Sequence, residues 1–330
     1  MRVSALVRAV LRRRSTLLRV ASVASRHARV LVASAGLLLM CLALTLMSPY
    51  FLTVPNVLNV LRQASIIAIL SVGMTYAILT GGIDLSVGSV LAFSSVVSAV
   101  LMKSNFPLVP SLAAALCTGA LCGAVSGALI IGRMRMPPFI STLATMSIAR
   151  GLTMVITGGM PIYGLPSTFA YIGAGYVLGI PVPVVIMAVV YLLACFDLAL
   201  TRSGVYHYAV GGNEEAARLA GIDTRAVKLR AYVISGITAA ISGLVLASRI
   251  TSVEPLSGLG YELDAIASAV IGGVSLSGGE GSVLGTLIGA LIMGVLRNGL
   301  NLLDVSTYWQ QVVIGVVIAV TVSLAAPPKK

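Results

Sequence analysis

The chain has 330 residues, of which 58% are hydrophobic and only 10% are charged. A soluble domain could not hide that much apolar surface, so the composition indicates a polytopic membrane protein. The net charge of +12 could suggest nucleic-acid binding, but eight of the 22 basic residues lie within positions 1–29, with no acidic residue among them. Such a basic stretch before an apolar segment is typical of a cytoplasmic anchor beside anionic lipid, so we expect membrane lipid and no nucleic acid as its partner.

Ten apolar segments follow, and we predict that each is a membrane-spanning helix. They cover roughly residues 30–48, 64–80, 87–102, 109–131, 138–157, 182–199, 231–249, 264–275, 283–300 and 308–325. The third and eighth are short for a hydrocarbon core of about 30 Å and are expected to be broken or tilted. The predicted fold is therefore all-α, with a basic cytoplasmic segment (1–29) and a transmembrane domain (30–326).

The positions of the basic residues predict which side of the membrane each loop faces. With the N-terminus inside, 17 of the 22 basic residues lie on the cytoplasmic side, as the positive-inside rule requires. An even number of spans then places the C-terminus inside as well. In this topology the loop 201–230 is cytoplasmic and the loop 158–181 is periplasmic.

The loop 201–230 is a polar insert between apolar spans and contains one predicted short helix with clear ends. Asn213 is a good N-cap, and Glu214 and Glu215 suit the positive first turn. Gly221 suits the left-handed position that ends a helix. A helix of about two turns is not stable alone in water, so we interpret it as a docking element for a partner or, equally, as a solvated connector.

Glycine spacing predicts where the membrane helices approach each other closely. Glycines four residues apart permit close backbone contact between helices in lipid. The sequence contains two such ladders, which are Gly119, Gly123 and Gly127, and Gly281, Gly285 and Gly289.

An internal echo indicates a structural repeat. Residues 81–88 (GGIDLSVG) and 272–279 (GGVSLSGG) are identical at five of eight positions. Each segment follows a predicted inward-running span and precedes an outward-running one. Transporter halves are often related in this way, so we predict a parallel pseudo-repeat.

A few polar side chains near the spans are candidate functional residues. Asp84 and Ser86 are expected to cap the third span, with a role as a gate or substrate-path group as the alternative. Arg297, Asn298 and Asn301 either line a polar translocation path or mark an interfacial helix end. The sequence shows no catalytic triad and no metal-ligand spacing, so we predict no catalytic residue, no metal and no cofactor.

Two further features of the sequence bear on its function. Glu262 and Asp264 precede the eighth span and are expected to cap it, or to contact a partner outside the membrane. The sequence also contains no Gly-x-x-x-x-Gly-Lys-Ser/Thr loop. This chain is therefore not expected to hydrolyse ATP by that route.

The segments TGGIDLSVGS (80–89) and GGNEEAARLAGI (211–222) are long and well separated, as is the stretch 260–303. They resemble the permease subunits of ribose-type bacterial ABC sugar importers, and the resemblance extends over about residues 45–325. It implies an inner-membrane permease that moves a monosaccharide, ribose or a related sugar, by ATP-driven alternating access. Permeases for other pentoses and for hexoses share these segments, so the sugar itself stays open.

The resemblance also implies partners for the loop 201–230. Its short helix is similar to the EAA loop that docks ABC permeases onto their ATPase, although the Ile-x-Leu-Pro of the fuller pattern is absent at 231–234. The implied coupling residues are Gly212, Asn213, Glu214, Glu215, Ala216, Ala217 and Gly221. The implied partners are a cytoplasmic ABC ATPase subunit, a periplasmic sugar-binding protein and a second permease copy, identical or paralogous.

Other classes of transporter remain open. A secondary transporter of a small polar solute would normally carry acidic residues within the membrane for ion coupling, and only Asp84 is placed for that. A branched-chain amino-acid ABC permease is the nearest relative within the ABC class, but residues 81–89 favour sugars. A membrane-embedded enzyme would need a convergent polar site, which the sequence does not indicate.

Overall fold

The computed structural model describes residues 30–132 and 136–325. The predicted basic segment 1–29 lies outside the described residues. The same holds for four of the basic residues on which the predicted topology depends, which are Arg133, Arg135, Lys329 and Lys330.

The described residues form thirteen helices and one hairpin whose two strands have two residues each, so the all-α fold class is confirmed. The helices are α1 Val30–Met47, α2 Val54–Leu79, α3 Val87–Lys103, α4 Leu108–Ile131, α5 Pro138–Thr157, α6 Ser167–Ala174, α7 Val182–Leu200, α8 Arg202–Gly212, α9 Glu214–Leu219, α10 Thr224–Ile250, α11 Tyr261–Ile271, α12 Val283–Leu302 and α13 Thr307–Ala325. The hairpin strands are β1 Tyr176–Val177 and β2 Ile180–Pro181, which pair antiparallel. Ten of the helices overlap the ten predicted spans, and α6, α8 and α9 lie between them.

Helix length separates the long spans from the short ones. Within residues 30–132 and 136–325, seven helices are long and apolar enough to cross a bilayer. At 1.5 Å per residue, α3 with 17 residues is about 25 Å long and α11 with 11 residues is only about 16 Å long. Because a straight α11 is shorter than a hydrocarbon core of about 30 Å, the number of crossings stays a prediction.

The helices α2 and α10 form the centre of the bundle. Every residue of α2 from Ala64 to Leu79 is buried, and so is most of α10. A helix that is covered on all sides belongs in the interior. By contrast, α1 and α7 expose large apolar side chains such as Leu46 and Leu192, as expected of helices that face lipid.

The predicted glycine ladders bring helices into backbone contact. In the first ladder, a Cβ built on Gly119 of α4 would overlap the carbonyl oxygen of Gly236 in α10, and the reverse also holds. In the second, a Cβ on Gly285 of α12 would overlap the carbonyl oxygen of Gly272, just after α11. The close approach that such ladders permit in lipid is therefore present at both places.

The start of α11 lies inside the bundle. The loop 251–260 turns back after α10, and a Cβ built on Gly88 at the start of α3 would overlap the carbonyl oxygen of Gly258 in that loop. The next turn of α3 packs on α10, where Gly243 lies against Leu91. The first turns of α3 and α11 are therefore neighbours within the bundle.

Candidate functional site: the coupling segment

The loop 201–230, which we call the coupling segment, contains two short helices and the start of α10. The sequence predicts a single helix here, so α8 is a difference from that prediction. Thr201 caps α8, because its hydroxyl accepts the N–H of Gly204 at 3.1 Å. Asp223 caps α10 by accepting the N–H groups of Arg225 and Ala226. The segment therefore consists of three consecutively capped helices.

Both predicted ends of α9 are confirmed. The side-chain oxygen of Asn213 accepts the N–H of Ala216 at 2.9 Å, which makes Asn213 the N-cap. Gly221 has a φ of 84° and donates its N–H to the carbonyl oxygen of Arg218, and Ile222 donates to Ala217. These two bonds form a Schellman motif, which requires a left-handed residue at the position of Gly221.

The inner face of α9 differs from the prediction. Ala217 is buried against Val210 of α8 and Val227 of α10, so it cannot belong to an external contact surface, as its place in the predicted coupling set would require. Ala216 is exposed, and Leu219 is 79% exposed. Leu219 is an apolar side chain on a polar loop and is not among the predicted coupling residues.

Charged side chains on α9 have two different roles. Glu214 accepts from Nζ of Lys228 at 2.6 Å, which ties α9 to α10. Glu215 pairs with Arg218 one turn later on the same helix, also at 2.6 Å. The hydrogen bond to Glu215 raises the pKa of Arg218 above its ordinary value. Both members of this second pair are exposed, so they add little to stability and carry charge on the outer face of α9.

Asp197, near the end of α7, joins the coupling segment to the core. Its Oδ2 accepts from the hydroxyl of Tyr76 in α2 at 2.9 Å. Its Oδ1 accepts from the hydroxyl of Thr201 at 2.9 Å and from Nη2 of Arg230 in α10 at 3.0 Å. One carboxylate therefore connects four helices. Asp197 is not among the predicted functional residues, although an acidic residue in an apolar span is a signal of function.

His207 packs α8 onto the same tyrosine. Its ring meets the ring of Tyr76 edge-on, with centroids 5.1 Å apart. Nδ1 lies 2.8 Å from the carbonyl oxygen of Ser203, a hydrogen bond that needs a proton on Nδ1. Burial lowers the pKa of His207 below its ordinary value, so the imidazole is neutral at pH 7.

The end of α8 touches both echo segments at a contact that we call the glycine junction, made by Gly81, Gly211, Gly278, Gly279 and the carbonyl group of Leu79. A Cβ on Gly211 would overlap the oxygen of Leu79, and a Cβ on Gly278 would lie 2.9 Å from the nitrogen of Gly81. Gly279 donates its N–H to the same oxygen of Leu79 at 3.0 Å. The two echo segments therefore meet at the coupling segment, while the repeat itself stays a prediction.

Asp84 does not cap α3 in the way that was predicted. Its Oδ1 accepts the N–H of Ser86 at 2.9 Å and the hydroxyl of Ser86 at 2.6 Å. Ser86 stands at the N-cap position, but its side chain bonds no amide of the helix, because it is turned towards Asp84. Both side chains therefore form a buried turn before α3, and the role of Asp84 as a gate stays a prediction.

Arg297 has one specific partner. Its Nη2 donates to Oδ2 of Asp264 at 2.5 Å, and the Asp264 side chain is fully buried. Asp264 lies in the first turn of α11, as predicted, but its carboxylate neutralises an arginine of α12 and is too deeply buried to contact a partner outside the membrane.

The other two candidate path residues have different partners. Asn298 and Asn56 of α2 exchange two hydrogen bonds through their amides, at 3.1 and 2.8 Å. Asn301 accepts from Nε2 of Gln310 in α13 at 2.7 Å. Together with Arg297, these side chains point to three different helices. Their role in a translocation path stays a prediction.

Comparison with known proteins gives a consistent result. Residues 56–322 match the family described as "Branched-chain amino acid transport system / permease component". The ribose import permease protein of Haemophilus influenzae is 47% identical over 291 residues, which cover 87% of this chain and 90% of that protein. The D-allose transport system permease protein of Escherichia coli is 41% identical over 276 residues, covering 83% and 84%. The L-arabinose ABC transporter permease protein of Azospirillum brasilense is 36% identical over 279 residues, covering 84% and 82%. No solved structure matches the chain.

Proposed function

The chain belongs to the family of permease components of branched-chain amino acid transport systems, and from this premise we propose that it is the multi-pass membrane subunit of an ABC importer for a monosaccharide, ribose or a related sugar. The observation that carries the proposal is its identity of 36–47% with permeases for ribose, allose and arabinose, over more than four-fifths of each chain. Among these three relatives, the ribose permease has the highest sequence identity to this chain.

Two alternative functions fit these findings less well than a sugar permease does. An amino-acid substrate would fit the family description, but the relatives compared above are permeases for sugars. A secondary transporter would need intramembrane carboxylates for ion coupling. Asp84 is held by Ser86, Asp197 by Tyr76 and Arg230, and Asp264 by Arg297. These three acidic groups therefore already have structural partners.

The energy source in this proposal is a second chain. The sequence has no phosphate-binding loop, so ATP is hydrolysed by a separate cytoplasmic ATPase subunit. That subunit docks on α9, where Glu215, Ala216, Arg218 and Leu219 are exposed. A periplasmic sugar-binding protein delivers the sugar, and a second permease copy completes the path.

The proposed topology follows from the docking site. If α9 meets a cytoplasmic ATPase, the coupling segment lies inside, and so do residues 1–29 and the end of the membrane domain 30–326. This agrees with the distribution of basic residues. Reporter fusions after Arg230 and Lys330 should both report the cytoplasm, and a periplasmic signal at Arg230 would refute the topology.

Force can pass from α9 to the core by two routes of direct contact. Glu214 and Lys228 tie α9 to α10, and α8 reaches α2 through the glycine junction and through Asp197. The helices α2 and α10 are the buried centre of the bundle. Movement of the docked ATPase would therefore reach the helices that must rearrange for alternating access.

The proposed function predicts that transport and ATP hydrolysis need the complete assembly. Purified alone, this chain should hydrolyse no ATP above background, because it lacks the nucleotide site. Reconstituted in liposomes with its ATPase subunit and binding protein, it should import radiolabelled ribose, allose or arabinose. ATP turnover by the isolated chain, or failure to import any of these sugars, would contradict the proposal.

Docking through α9 predicts a specific effect at Gly221. The substitution Gly221→Val places a β-branched residue in a left-handed conformation, at a cost of about 1–2 kcal/mol, and should distort the end of α9. Sugar uptake and co-purification of the ATPase subunit should both fall, while the amount of permease in the membrane stays normal.

The neighbouring Ala220 supplies the control for this test. It has a φ of −78° and is exposed, so Ala220→Val adds similar bulk without the backbone strain. If Gly221→Val transports as well as the wild type at equal abundance, α9 is only a connector.

A further inference from the structure

A cleft with an apolar surface and a few polar side chains lies between the start of α3, the middle of α5 and the start of α11. Its volume is about 250 Å³, roughly the volume that eight water molecules occupy in liquid water. Its polar lining consists of Ser89, Ser147, Arg150 and Glu262. We propose that this cleft is the place where the monosaccharide contacts the permease in transit, an inference that rests on the function proposed above.

The two charged side chains of the cleft are held in place separately. Nη1 of Arg150 donates to the carbonyl oxygens of Pro255 and Ser257, at 2.6 and 3.1 Å. Glu262 lies in the first turn of α11, and a Cβ on Gly88 of α3 would be 2.6 Å from its Oε2. Two helix N-termini therefore stabilise this carboxylate. Although both residues are described, no ion pair joins Arg150 to Glu262, so the two charges do not close the cleft against a ligand.

The lining matches the two kinds of surface that a sugar presents. Guanidinium groups donate hydrogen bonds, carboxylates accept them and serine hydroxyls do both, so the hydroxyl groups of a sugar can find partners here. Met146, Met154 and Leu259 also line the cleft and suit the C–H face of the ring. An open site of mixed polarity favours weak, transient contact, as a permeation path requires.

The position of the cleft argues against a purely lipid-facing surface. Ser147 and Gly151 are exposed on α5, within the span Pro138–Thr157. Charged residues inside spans almost always face a bundle interior or a water-filled cavity, because exposure to lipid is costly. The cleft side of α5 therefore suits an aqueous path between two permease copies, and the four polar residues are the part of that path contributed by this chain.

Gly151 offers a test by size. It lines the cleft, and a Cβ built on it meets no atom within 4 Å. We expect Gly151→Ala to import radiolabelled ribose normally and Gly151→Phe to import it at least about tenfold more slowly, because the ring fills the cleft. The helix should tolerate both changes, since both residues favour a helix more than glycine does.

Ile148 supplies the matched control for size. It is exposed on the same helix, about 100° around the axis from Ser147, so Ile148→Phe places the same ring outside the cleft. Its uptake should equal that of the wild type. All variants are compared at equal membrane abundance and equal co-purification of the ATPase subunit.

The charges offer a second, independent test. Arg150→Gln and Glu262→Gln should each lower uptake roughly tenfold or more, the factor expected for the loss of a hydrogen bond to a charged group. Arg249→Gln is the control, because Arg249 donates to Asn59 away from the cleft. Normal uptake by Gly151→Phe, or by both charge variants, overturns the transit site alone. A wild-type assembly that imports no sugar overturns the proposed function instead.

Discussion

Replacing Asp264 by alanine should destabilise the folded protein by about 3–5 kcal/mol. The Asp264 side chain is fully buried, and its Oδ2 lies 2.5 Å from Nη2 of Arg297. Only 22% of the Arg297 side chain is exposed, so removal of the carboxylate leaves a largely buried guanidinium without its counter-charge. The penalty is the desolvation of that charge, and it exceeds the net contribution of the pair itself.

Thermal unfolding in detergent, followed by size-exclusion chromatography, measures this effect. The double variant Asp264→Leu with Arg297→Met should recover much of the loss, because apolar residues of similar size can replace a buried ion pair. The exposed pair of Glu215 and Arg218 gives the control, and Glu215→Ala should leave the unfolding temperature unchanged. Equal losses in Asp264→Ala and in the double variant would mean that packing, and not charge, explains the effect.

Features that depend on neighbouring residues could be predicted from the sequence. The ten predicted spans overlap ten helices because each is an apolar run bounded by polar or turn-forming residues. Both ends of α9 were predicted because a capping side chain and a left-handed glycine act within three or four residues. The glycine ladders were predicted for the same reason, since their spacing lies within one helix.

Partners across the fold could not be predicted. Asn298 pairs with Asn56 from a distance of 242 positions, and the sequence carries no local sign of that pairing. Arg297 was singled out correctly as an unusual residue, but its partner is decided by how α11 packs on α12. The sequence of an apolar span shows which polar residues need a partner inside the membrane, but it does not show which residue that partner is.

Short elements in the coupling segment were only partly predictable. The helix α8 is less apolar than the spans, and it packs on the core through His207 and Tyr76, a contact that the sequence does not reveal. Ala217 is buried only because α9 lies against α8 and α10, whereas a helix of six residues has no clear apolar face of its own. The cleft that contains Arg150 and Glu262 depends on the return of the loop 251–260 into the bundle, which a hydropathy profile does not contain.

The second large effect is expected at Gly211, in the glycine junction. In Gly211→Ala the added methyl group would overlap the carbonyl oxygen of Leu79 and would lie 2.5 Å from the nitrogen of Gly279. Backbone atoms cannot rotate aside as a flexible side chain would, so α8 must shift away from α2. Overpacking of this kind typically costs about 1–3 kcal/mol. If the junction transmits the movement of α9, the shift should also uncouple ATP hydrolysis from transport.

The adjacent Gly212 provides the control for Gly211, because a Cβ there meets no atom within 4 Å. Gly212→Ala should fold like the wild type and keep α8 in place against α2, with a stability gain of up to about 1 kcal/mol from the helix preference of alanine. The measurement is the amount of sugar imported per ATP hydrolysed by the complete transporter in liposomes. We expect Gly211→Ala to keep hydrolysing ATP while this ratio falls, because the ATPase still docks on α9 but its movement no longer reaches α2. An unchanged ratio in Gly211→Ala would mean that the glycine junction only packs α8 against α2 and transmits no force. In that case the movement of α9 would reach the core through Asp197 and through the pair of Glu214 and Lys228.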